Sequence, residues 1–389
     1  GIKLDPSEIA VGLTAQPLQM IGRRMYIGRR LPYSSAVTFT VADRVEMSSQ
    51  WRTVVGSQIL AMMPVSETTG LCVTEDGDVF RIAAEQVASG GVEQDSSTQL
   101  QVPAELVEPL RAVRFGEDRL AVHSGRDAPR LWVINKLGQV ERQIELDGPL
   151  EADPVLLEAG IVLPLPGRLA MIGRGSASVQ DFPAPTDDDR PPAEWLHVAA
   201  ADETQLIALD NLGRLLRVQY RAAPVRSLAP VTQRDLEQPA VAGFALHDGR
   251  LLIADVTGRL LVLDAVSLET LETVALDAPA SNRPWIADGR LYVESGRSTL
   301  RCYEASAPLQ ELWSLDLEGS GLAGPPLAHD GQLLVARLDG TVLAVNPDSG
   351  EIEKRIEIGQ TLAGGPQQIG QTLIVPAVDG SLCPVEFEE

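Results

Sequence analysis

The chain has 389 residues, with 54 Asp and Glu against 32 Lys and Arg, so its formal net charge is −22. This charge argues against nonspecific nucleic-acid binding and against docking on an anionic membrane, both of which need a basic surface. Hydrophobic residues make up 44% of the chain, which argues against wholesale disorder, and no uncharged apolar run reaches the roughly 18 residues of a membrane span.

Hairpin patterns run along the N-terminal half in drifted form. Each consists of two short apolar segments around a turn, and period-2 alternation of this kind predicts strands. The copies are residues 22–42, the segment around Asp76-Gly77, residues 119–135, the segment around Gly160 and Gly167, and the segment around Asn211-Leu212-Gly213.

The C-terminal half repeats the same pattern plainly. The copies are GFALHDGRLLIADVTGR (243–259), PWIADGRLYVESGRST (284–299), PPLAHDGQLLVARLDGT (325–341) and GPQQIGQTLIVPAVDGS (365–381). The first-turn glycines Gly249, Gly289, Gly331 and Gly370 are 40, 42 and 39 residues apart. Glycine suits these turns because the backbone must take positive φ.

A further strand pattern and a fourth segment follow each clear hairpin, as in TVLAVNP and then EIEKRIEIG. Four short strands with a period near 40 residues are the signature of a propeller blade. The sequence therefore predicts an all-β fold, a single β-propeller domain over 1–389 built from four-stranded antiparallel blades. Nine hairpins predict nine blades; eight result if the weak unit at 150–193, which ends in FPAPTDDDRPPAEW, is not a blade.

Closure of the propeller is predicted from an alignment of the two chain ends. Residues 9–22 (IAVGLTAQPLQMIG) match 357–370 (EIGQTLAGGPQQIG), while the last unit, 361–389, has three strands. Residues 1–11 are therefore expected to supply the missing fourth strand of the last blade, with residues 12–389 forming the blades. Such closure leaves only short protected edges.

The segments DGQLLVARLDGTVLAVNPDSGEIEKRI (330–356) and DGRLYVESGRSTLRCYEASAPLQELWSL (288–315) resemble the PQQ-binding-like propeller repeat family. Many members of that family are not enzymes, and its BamB-like group acts as a protein scaffold in bacterial outer-membrane assembly. The resemblance implies an extracytoplasmic bacterial protein, periplasmic or otherwise outside the cytoplasm. The quinoprotein branch carries adjacent cysteines and repeated docking tryptophans, whereas this chain has no Cys-Cys pair and only Trp313 fits the tryptophan position well.

Histidine and cysteine patterns predict no catalytic or metal centre. His247 and His329 occupy the same turn position and are expected to be solvent-exposed on separate blades, and His197 either packs normally or faces the channel. Cys72, Cys302 and Cys383 lie in apolar runs, which predicts small buried side chains. Neither a phosphate loop nor a nucleophile elbow occurs.

One arginine group stands out against the acidity of the chain. Residues 1–50 carry six basic and four acidic residues, whereas the remaining 339 residues carry a charge of −24. The basic residues include the group Arg23, Arg24, Arg29 and Arg30. Arginine forks suit carboxylates and phosphates, so this group is a candidate interaction site for an acidic partner or a phosphate-bearing ligand. The alternative is pairing with acidic residues of the same chain.

Two functions remain open on the sequence. The first is a non-catalytic scaffold that binds a protein partner in the bacterial cell envelope, with no cofactor, no nucleic acid and no direct membrane insertion. The alternative is a quinoprotein dehydrogenase that depends on PQQ and calcium, or a small-ligand sensor, using the central channel. Only the family resemblance supports this second function, and fold analogy alone is a weak argument for activity.

Overall fold

The computed structural model describes residues 57–84, 87, 98–100, 102, 110–126, 128–174, 179–186, 193–306 and 308–387 with their side chains. Five further segments, Leu13–Thr14, Gln19–Ile21, Arg24–Arg30, Val37–Asp43 and Thr53–Val54, are described as backbone.

Nine four-stranded antiparallel sheets make up the described chain. The N-terminal sheet contains β1 (Leu13–Thr14), β2 (Gln19–Ile21), β3 (Arg24–Arg30) and β4 (Val37–Asp43), and β5 (Thr53–Val54) follows it. Blade 1 contains β6 (Ile59–Pro64), β7 (Thr69–Thr74), β8 (Asp78–Ala83) and β9 (Thr98–Gln99). Blade 2 contains β10 (Arg111–Arg114), β11 (Arg119–His123), β12 (Arg130–Asn135) and β13 (Val140–Glu145).

The next four sheets follow without interruption. Blade 3 contains β14 (Val155–Leu157), β15 (Gly160–Leu165), β16 (Arg168–Gly173) and β17 (Phe182–Pro183). Blade 4 contains β18 (Trp195–Ala200), β19 (Gln205–Asp210), β20 (Arg214–Arg221) and β21 (Ser227–Asp235). Blade 5 contains β22 (Ala240–His247), β23 (Arg250–Asp255), β24 (Arg259–Asp264) and β25 (Thr270–Ala275). Blade 6 contains β26 (Trp285–Ala287), β27 (Arg290–Ser295), β28 (Thr299–Glu304) and β29 (Gln310–Asp316).

Two sheets complete the chain. Blade 7 contains β30 (Leu327–His329), β31 (Gln332–Ala336), β32 (Thr341–Val345) and β33 (Ile352–Glu357). Blade 8 contains β34 (Gln367–Ile369), β35 (Thr372–Pro376) and β36 (Ser381–Val385), and β5 pairs with β36 as its fourth strand. The fold is therefore all-β, a β-propeller with eight four-stranded antiparallel blades, which confirms the predicted fold class.

The chain divides into two compact units. The first contains Gly1–Ile144, Leu322–Val345 and Ile352–Glu389, which hold the N-terminal sheet and blades 1, 2, 7 and 8. Within it, the first strand of blade 1, β6, contacts the first strands of blades 2 and 8. The second contains Glu145–Gly321 and Asn346–Glu351, which hold blades 3 to 6. Within it, the first strands of successive blades also contact one another.

Burial follows the strand order within a blade. In blade 5, β23 is buried at every position after Arg250, whereas β25 contains only exposed and half-buried residues. The second strand packs against neighbouring sheets on both faces, so it is apolar throughout, and the outermost strand needs only one apolar face. Buried aliphatic residues of adjacent blades join into common clusters, such as the one that links Leu252 and Leu260 to Leu291 and Val293.

The first-turn glycines adopt the conformation that the repeat predicts. In blade 5, Asp248 has φ 45° and Gly249 has φ 73°, and blades 6 and 7 repeat this Asp-Gly geometry. Two successive residues with positive φ match the right-handed twist of the flanking strands, which explains the Asp-Gly pair between two apolar runs.

The count of nine blades is corrected to eight, for a reason that differs from the expected one. The weak unit at 150–193 contains a regular blade, blade 3, whereas the hairpin predicted over 22–42 falls in the N-terminal sheet. In that sheet β3 is central: it pairs with β4 on one edge and with both β1 and β2 on the other. A sheet ordered in this way is not the sequential meander of a blade, although its hairpin gives the same sequence pattern.

The closing strand also differs from the predicted one. Thr53 pairs with Leu382 and Val54 with Ser381, so residues after the N-terminal sheet fill the fourth position of blade 8. Residues 1–11, which were expected there, lie outside the described residues. The alignment of the chain ends placed the first blade one repeat too early because the N-terminal sheet has about the length of one repeat.

Trp313 occupies the docking position that the repeat predicts. Its side chain is 7% exposed, its Nε1 donates a hydrogen bond to the Pro347 carbonyl at 2.7 Å, and its ring lies over Gly350. A Cβ at residue 350 would stand 2.7 Å from the ring, and φ there is 75°, so glycine is required for both reasons. The tryptophan thereby fastens β29 to the turn at Asn346–Glu351.

Candidate interaction surface

The predicted arginine group lies on the N-terminal sheet. Arg24, Arg29 and Arg30 belong to the central strand β3, where Arg24 is opposite Asp43 and Arg29 is opposite Thr38 and Thr14. Arg23 lies outside the described residues. The backbone thus places three of the four arginines on one seven-residue strand.

A second candidate surface is formed by the turns between the second and third strands of blades 7 and 8. The turn of blade 7 is Arg337-Leu338-Asp339-Gly340, and the turn of blade 8 is Ala377-Val378-Asp379-Gly380. In blade 7, Oδ1 of Asp339 accepts a hydrogen bond from the Thr341 amide at 3.0 Å, and its Oδ2 is paired with Arg337. In blade 8, Oδ1 of Asp379 accepts from the Ser381 amide at 3.0 Å. Such side-chain to backbone bonds hold a turn in one conformation.

The electrostatics of Asp339 agree with this fixed geometry. Burial acts to raise the pKa of its carboxyl, but hydrogen bonds from Thr341 and the positive charge of Arg337 hold that pKa below its ordinary value. The carboxylate is therefore charged at neutral pH and stays bound to its turn.

Each of these turns presents one aliphatic side chain to solvent. Leu338 is 43% exposed and Val378 is 44% exposed, although the strands on either side of both residues are largely buried. The segment between blades 7 and 8 connects the two turns: the Leu362 amide donates to the Leu338 carbonyl, and the Val378 amide donates to the Thr361 carbonyl at 2.9 Å. Residues 361–362 therefore form a backbone bridge between the two turns, with Leu338 on one side and Val378 on the other. We call these two aliphatic residues the turn pair.

The same position recurs in blade 5, where Val256 is 46% exposed. Its turn is held by Asp255, whose Oδ1 accepts from the Thr257 and Arg259 amides and whose Oδ2 accepts from Arg259 Nε. The sequence reasoning did not single out these aliphatic residues. The signal was present, since each precedes the turn glycine by two residues and interrupts an otherwise polar turn.

The histidines have different surroundings from those expected in two cases. The side chains of His247 and His329 are only 26% and 13% exposed, so the prediction of solvent-exposed turn histidines is wrong. His247 Nε2 lies 3.5 Å from Asp248 Oδ2, and His329 Nδ1 lies 3.2 Å from Gln368 Oε1 of blade 8.

His197 on β18 is buried in the second unit. Its Nδ1 accepts a hydrogen bond from the Phe244 amide at 3.2 Å, its ring stands edge-on to the Phe244 ring, and Arg283 Nη1 lies 2.9 Å from its Nε2. Burial, and secondarily the charge of Arg283, lowers the pKa of His197 to about 3. Burial and then the charge of Arg111 likewise lower the pKa of His123 to about 4.

We expect these low pKa values to make the protein acid-sensitive. A histidine with an ordinary pKa of 6.5 when unfolded and about 3 when folded binds its proton preferentially in the unfolded state, so stability is lost as the pH falls below about 6.5. For His197 the loss at pH 5 is about 2 kcal/mol. Urea unfolding of the wild type and His197→Asn at pH 7 and pH 5 should show a smaller pH effect in the variant. Identical pH effects in both proteins would contradict this assignment.

All three cysteines are buried and free, as predicted. Burial raises the pKa of the Cys72 thiol and of the Cys302 thiol to about 12. A thiol with such a pKa is fully protonated at neutral pH and is a poor nucleophile.

Among the described residues, no group of three or more His, Cys, Asp or Glu could hold a metal ion. The same part of the chain contains no helix long and apolar enough to cross a membrane.

Comparison with known proteins gives one family match and a broad structural likeness. The family model of outer membrane protein assembly factor BamB matches residues 225–308 and 306–389, whereas no curated protein sequence matches the chain. The crystal structure of BamB from Moraxella catarrhalis has a TM-score of 0.61 at 16% identity, covering 86% of this chain and 100% of that one.

Two further solved propellers show the same fold. The computationally designed Ika8 protein has a TM-score of 0.66 at 13% identity, covering 86% of this chain and 98% of that one. The C-terminal WD40 domain of Sif2 has a TM-score of 0.66 at 11% identity, covering 86% and 97%. Likeness to such different proteins defines the fold, whereas the repeats of blades 5 to 8 carry the family signature. Over residues 225–389, this chain matches the PQQ-like, BamB-like β-propeller repeat family.

Proposed function

We propose that this protein is a non-catalytic scaffold that binds a partner protein in the bacterial cell envelope. The observation that carries the proposal is the turn pair, in which fixed turns of adjacent blades expose Leu338 and Val378 beside a common backbone bridge. Single exposed aliphatic residues are normal on protein surfaces, whereas grouped apolar side chains mark interaction sites, and the hydrogen-bonded segment that joins the two turns groups this pair.

The family match supports the location and the type of function. The matched model describes an outer membrane protein assembly factor, and the matched residues include both turns of the turn pair. An assembly factor acts by binding other proteins, and a propeller suits this role because turns from successive blades share a face.

The arginine group on the N-terminal sheet is proposed as a second contact. Arg24, Arg29 and Arg30 on β3, with Arg23 before it, form a basic segment in a chain of net charge −22. Opposite charges on two partners accelerate association and set orientation more than they add affinity. An acidic partner would therefore meet this segment first and be held by the turn pair.

Site-specific crosslinking in the native host tests the proposal. A photo-crosslinking residue placed at 338 or at 378 is expected to capture the same partner protein, identified by mass spectrometry. The matched control is position 137, because Leu137 is 54% exposed and lies in the turn between β12 and β13. If crosslinking depended only on how exposed each position is, partner capture would be strongest at position 137. That result would contradict the proposal.

Loss of the two aliphatic side chains should abolish partner capture without unfolding the protein. We expect Leu338→Ser with Val378→Ser to reduce crosslinking from a probe at 361 at least tenfold, because about 40% of each side chain is available for contact. The free energy of unfolding should change by no more than about 0.5 kcal/mol per site, as for ordinary surface substitutions. Undiminished capture by the folded double variant would exclude the turn pair as the binding face.

A further inference from the structure

The surroundings of His197 fix its ring in one position. The ring lies over Gly243, where an added Cβ would stand 2.6 Å from the imidazole Cγ and 2.7 Å from Nδ1. The Phe244 ring approaches edge-on, with centroids 4.3 Å apart and planes at 73°. His197 is 9% exposed, so it cannot turn away from these neighbours without repacking. Its Nε2 is therefore held in the direction of Arg283.

The hydrogen bond at Nδ1 decides where the imidazole carries its proton. The Phe244 amide donates to Nδ1, and β22 is the edge strand of its sheet among the described strands, so amides on its free edge need partners outside the sheet. A neutral imidazole has one N–H and one acceptor nitrogen. With Nδ1 accepting from Phe244, the proton is on Nε2.

This tautomer brings two donors face to face. Nε2–H of His197 and Nη1–H of Arg283 are 2.9 Å apart, and neither can accept from the other. Arg283 is exposed, and His197 is its one hydrogen-bonding or ionic contact among the described residues. Neither donor therefore has an acceptor among the described residues, and one oxygen atom lying beside the pair, at hydrogen-bonding distance from each nitrogen, would serve both.

We propose that His197 and Arg283 form a binding site for a carboxylate group. A single oxygen of the ligand accepts from His197 Nε2 and Arg283 Nη1, and the second oxygen faces the remaining donors of the guanidinium, whose planar fork matches a carboxylate. The low pKa of His197 keeps its imidazole neutral, so the site carries one positive charge, from Arg283. One charge neutralises a carboxylate, whereas a phosphate dianion would leave negative charge uncompensated in a chain that already carries −22.

This inference goes beyond the proposed scaffold function because it assigns a ligand chemistry to residues of the second unit, whereas the turn pair belongs to the first. The carboxylate has two sources, a free small acid or the Asp or Glu side chain of a bound protein. The two sources present the same oxygens to the site, so the experiment must separate them.

The test begins with the tautomer of His197. Two-bond ¹H–¹⁵N correlation spectra of the ¹⁵N-labelled full chain should show an Nε2–H tautomer for His197. Sodium acetate added at constant ionic strength, with sodium chloride as the balancing salt, should shift the Nε2 resonance in a saturable manner. An Nδ1–H tautomer in the free protein would overturn the proposal, since Arg283 would then have its acceptor.

Variants identify the donors. Arg283→Gln should weaken acetate binding at least fivefold, and Gly243→Ala should weaken it similarly by displacing the imidazole ring without altering either donor. Arg297→Gln is the matched control, because Arg297 is also exposed and lies near Arg283 in the fold. Its amide donates a hydrogen bond at 2.8 Å to Oγ of Ser281, which is two residues before Arg283. This control variant should change the affinity less than twofold. An equal loss of acetate affinity in Arg283→Gln and Arg297→Gln would show that acetate is attracted by positive charge in general and not bound at this site. That result would overturn the proposal.

Two further probes assign the class and the source of the ligand. Acetyl-Gly-Glu-Gly-amide should bind, and its Gln counterpart should not. Binding of the Glu peptide at least fivefold more tightly than acetate assigns the site to protein carboxylates, and equal binding assigns it to small free acids. Inorganic phosphate that binds more tightly than both would overturn the carboxylate assignment. None of these results depends on the turn pair, so the scaffold function and this site can fail separately.

Discussion

Replacing Trp313 with Ala is expected to lower the free energy of unfolding by about 3–5 kcal/mol, the usual cost of removing a buried aromatic side chain. The residue is 7% exposed, and its ring covers Gly350 at contact distance. The substitution removes this packing and also the hydrogen bond from Nε1 to the Pro347 carbonyl. The turn at Asn346–Glu351 would then lose the side chain that fastens it to β29.

Urea unfolding at pH 7 measures this effect, and Trp313→Phe separates its two causes. The phenylalanine keeps most of the ring over Gly350 but loses the Nε1 donor, so we expect a loss of about 1–2 kcal/mol. A loss below about 1 kcal/mol for Trp313→Ala would show that the tryptophan does not dock the turn. A loss as large for Phe as for Ala would assign the effect to the hydrogen bond.

The blade architecture could be predicted because its determinants are local. Turn chemistry such as Asp248-Gly249 and the apolar second strand of each blade repeat about every 40 residues. The N-terminal sheet misled the blade count because a hairpin has the same local pattern whether its strands form a sequential meander or surround a central strand. Order within a sheet depends on pairing between distant segments, such as Thr53–Val54 with β36, which no local pattern encodes.

The candidate sites were harder to predict for the same reason. His197 and Arg283 are 86 residues apart in sequence and meet because successive blades bring their first strands together. Their individual contexts are an apolar strand and a polar loop, and neither indicates a partner. Leu338 and Val378 belong to a local pattern, but their significance depends on exposure, which is fixed by the bridge through Thr361.

The seam between blades 8 and 1 gives the second large expected effect, through Gly370→Ala. Gly370 has φ 61°, and a Cβ there would stand 1.7 Å from the carbonyl oxygen of Glu67 in blade 1. Gly331 is the matched control, since it occupies the same turn position in blade 7 with φ 75° and has nothing within 4 Å of its added Cβ. Both substitutions incur the cost of a left-handed alanine, about 1 kcal/mol, and only Gly370→Ala adds a backbone clash of about 1–3 kcal/mol.

The free energies of unfolding of the two variants are compared by urea unfolding under the same conditions. Their difference gives the cost of the clash at the seam, because the cost of a left-handed alanine is the same in both variants. We expect Gly370→Ala to lose about 2–4 kcal/mol and Gly331→Ala about 1 kcal/mol. Such a difference would show that blade 8 packs directly on blade 1 at this turn, in agreement with the apolar cluster that the two blades share. Equal losses would mean that the Glu67 backbone moves away at no cost. The seam would then rest on the closing strand and on the apolar cluster in which Ile369 of blade 8 packs with Ile59 and Phe80 of blade 1.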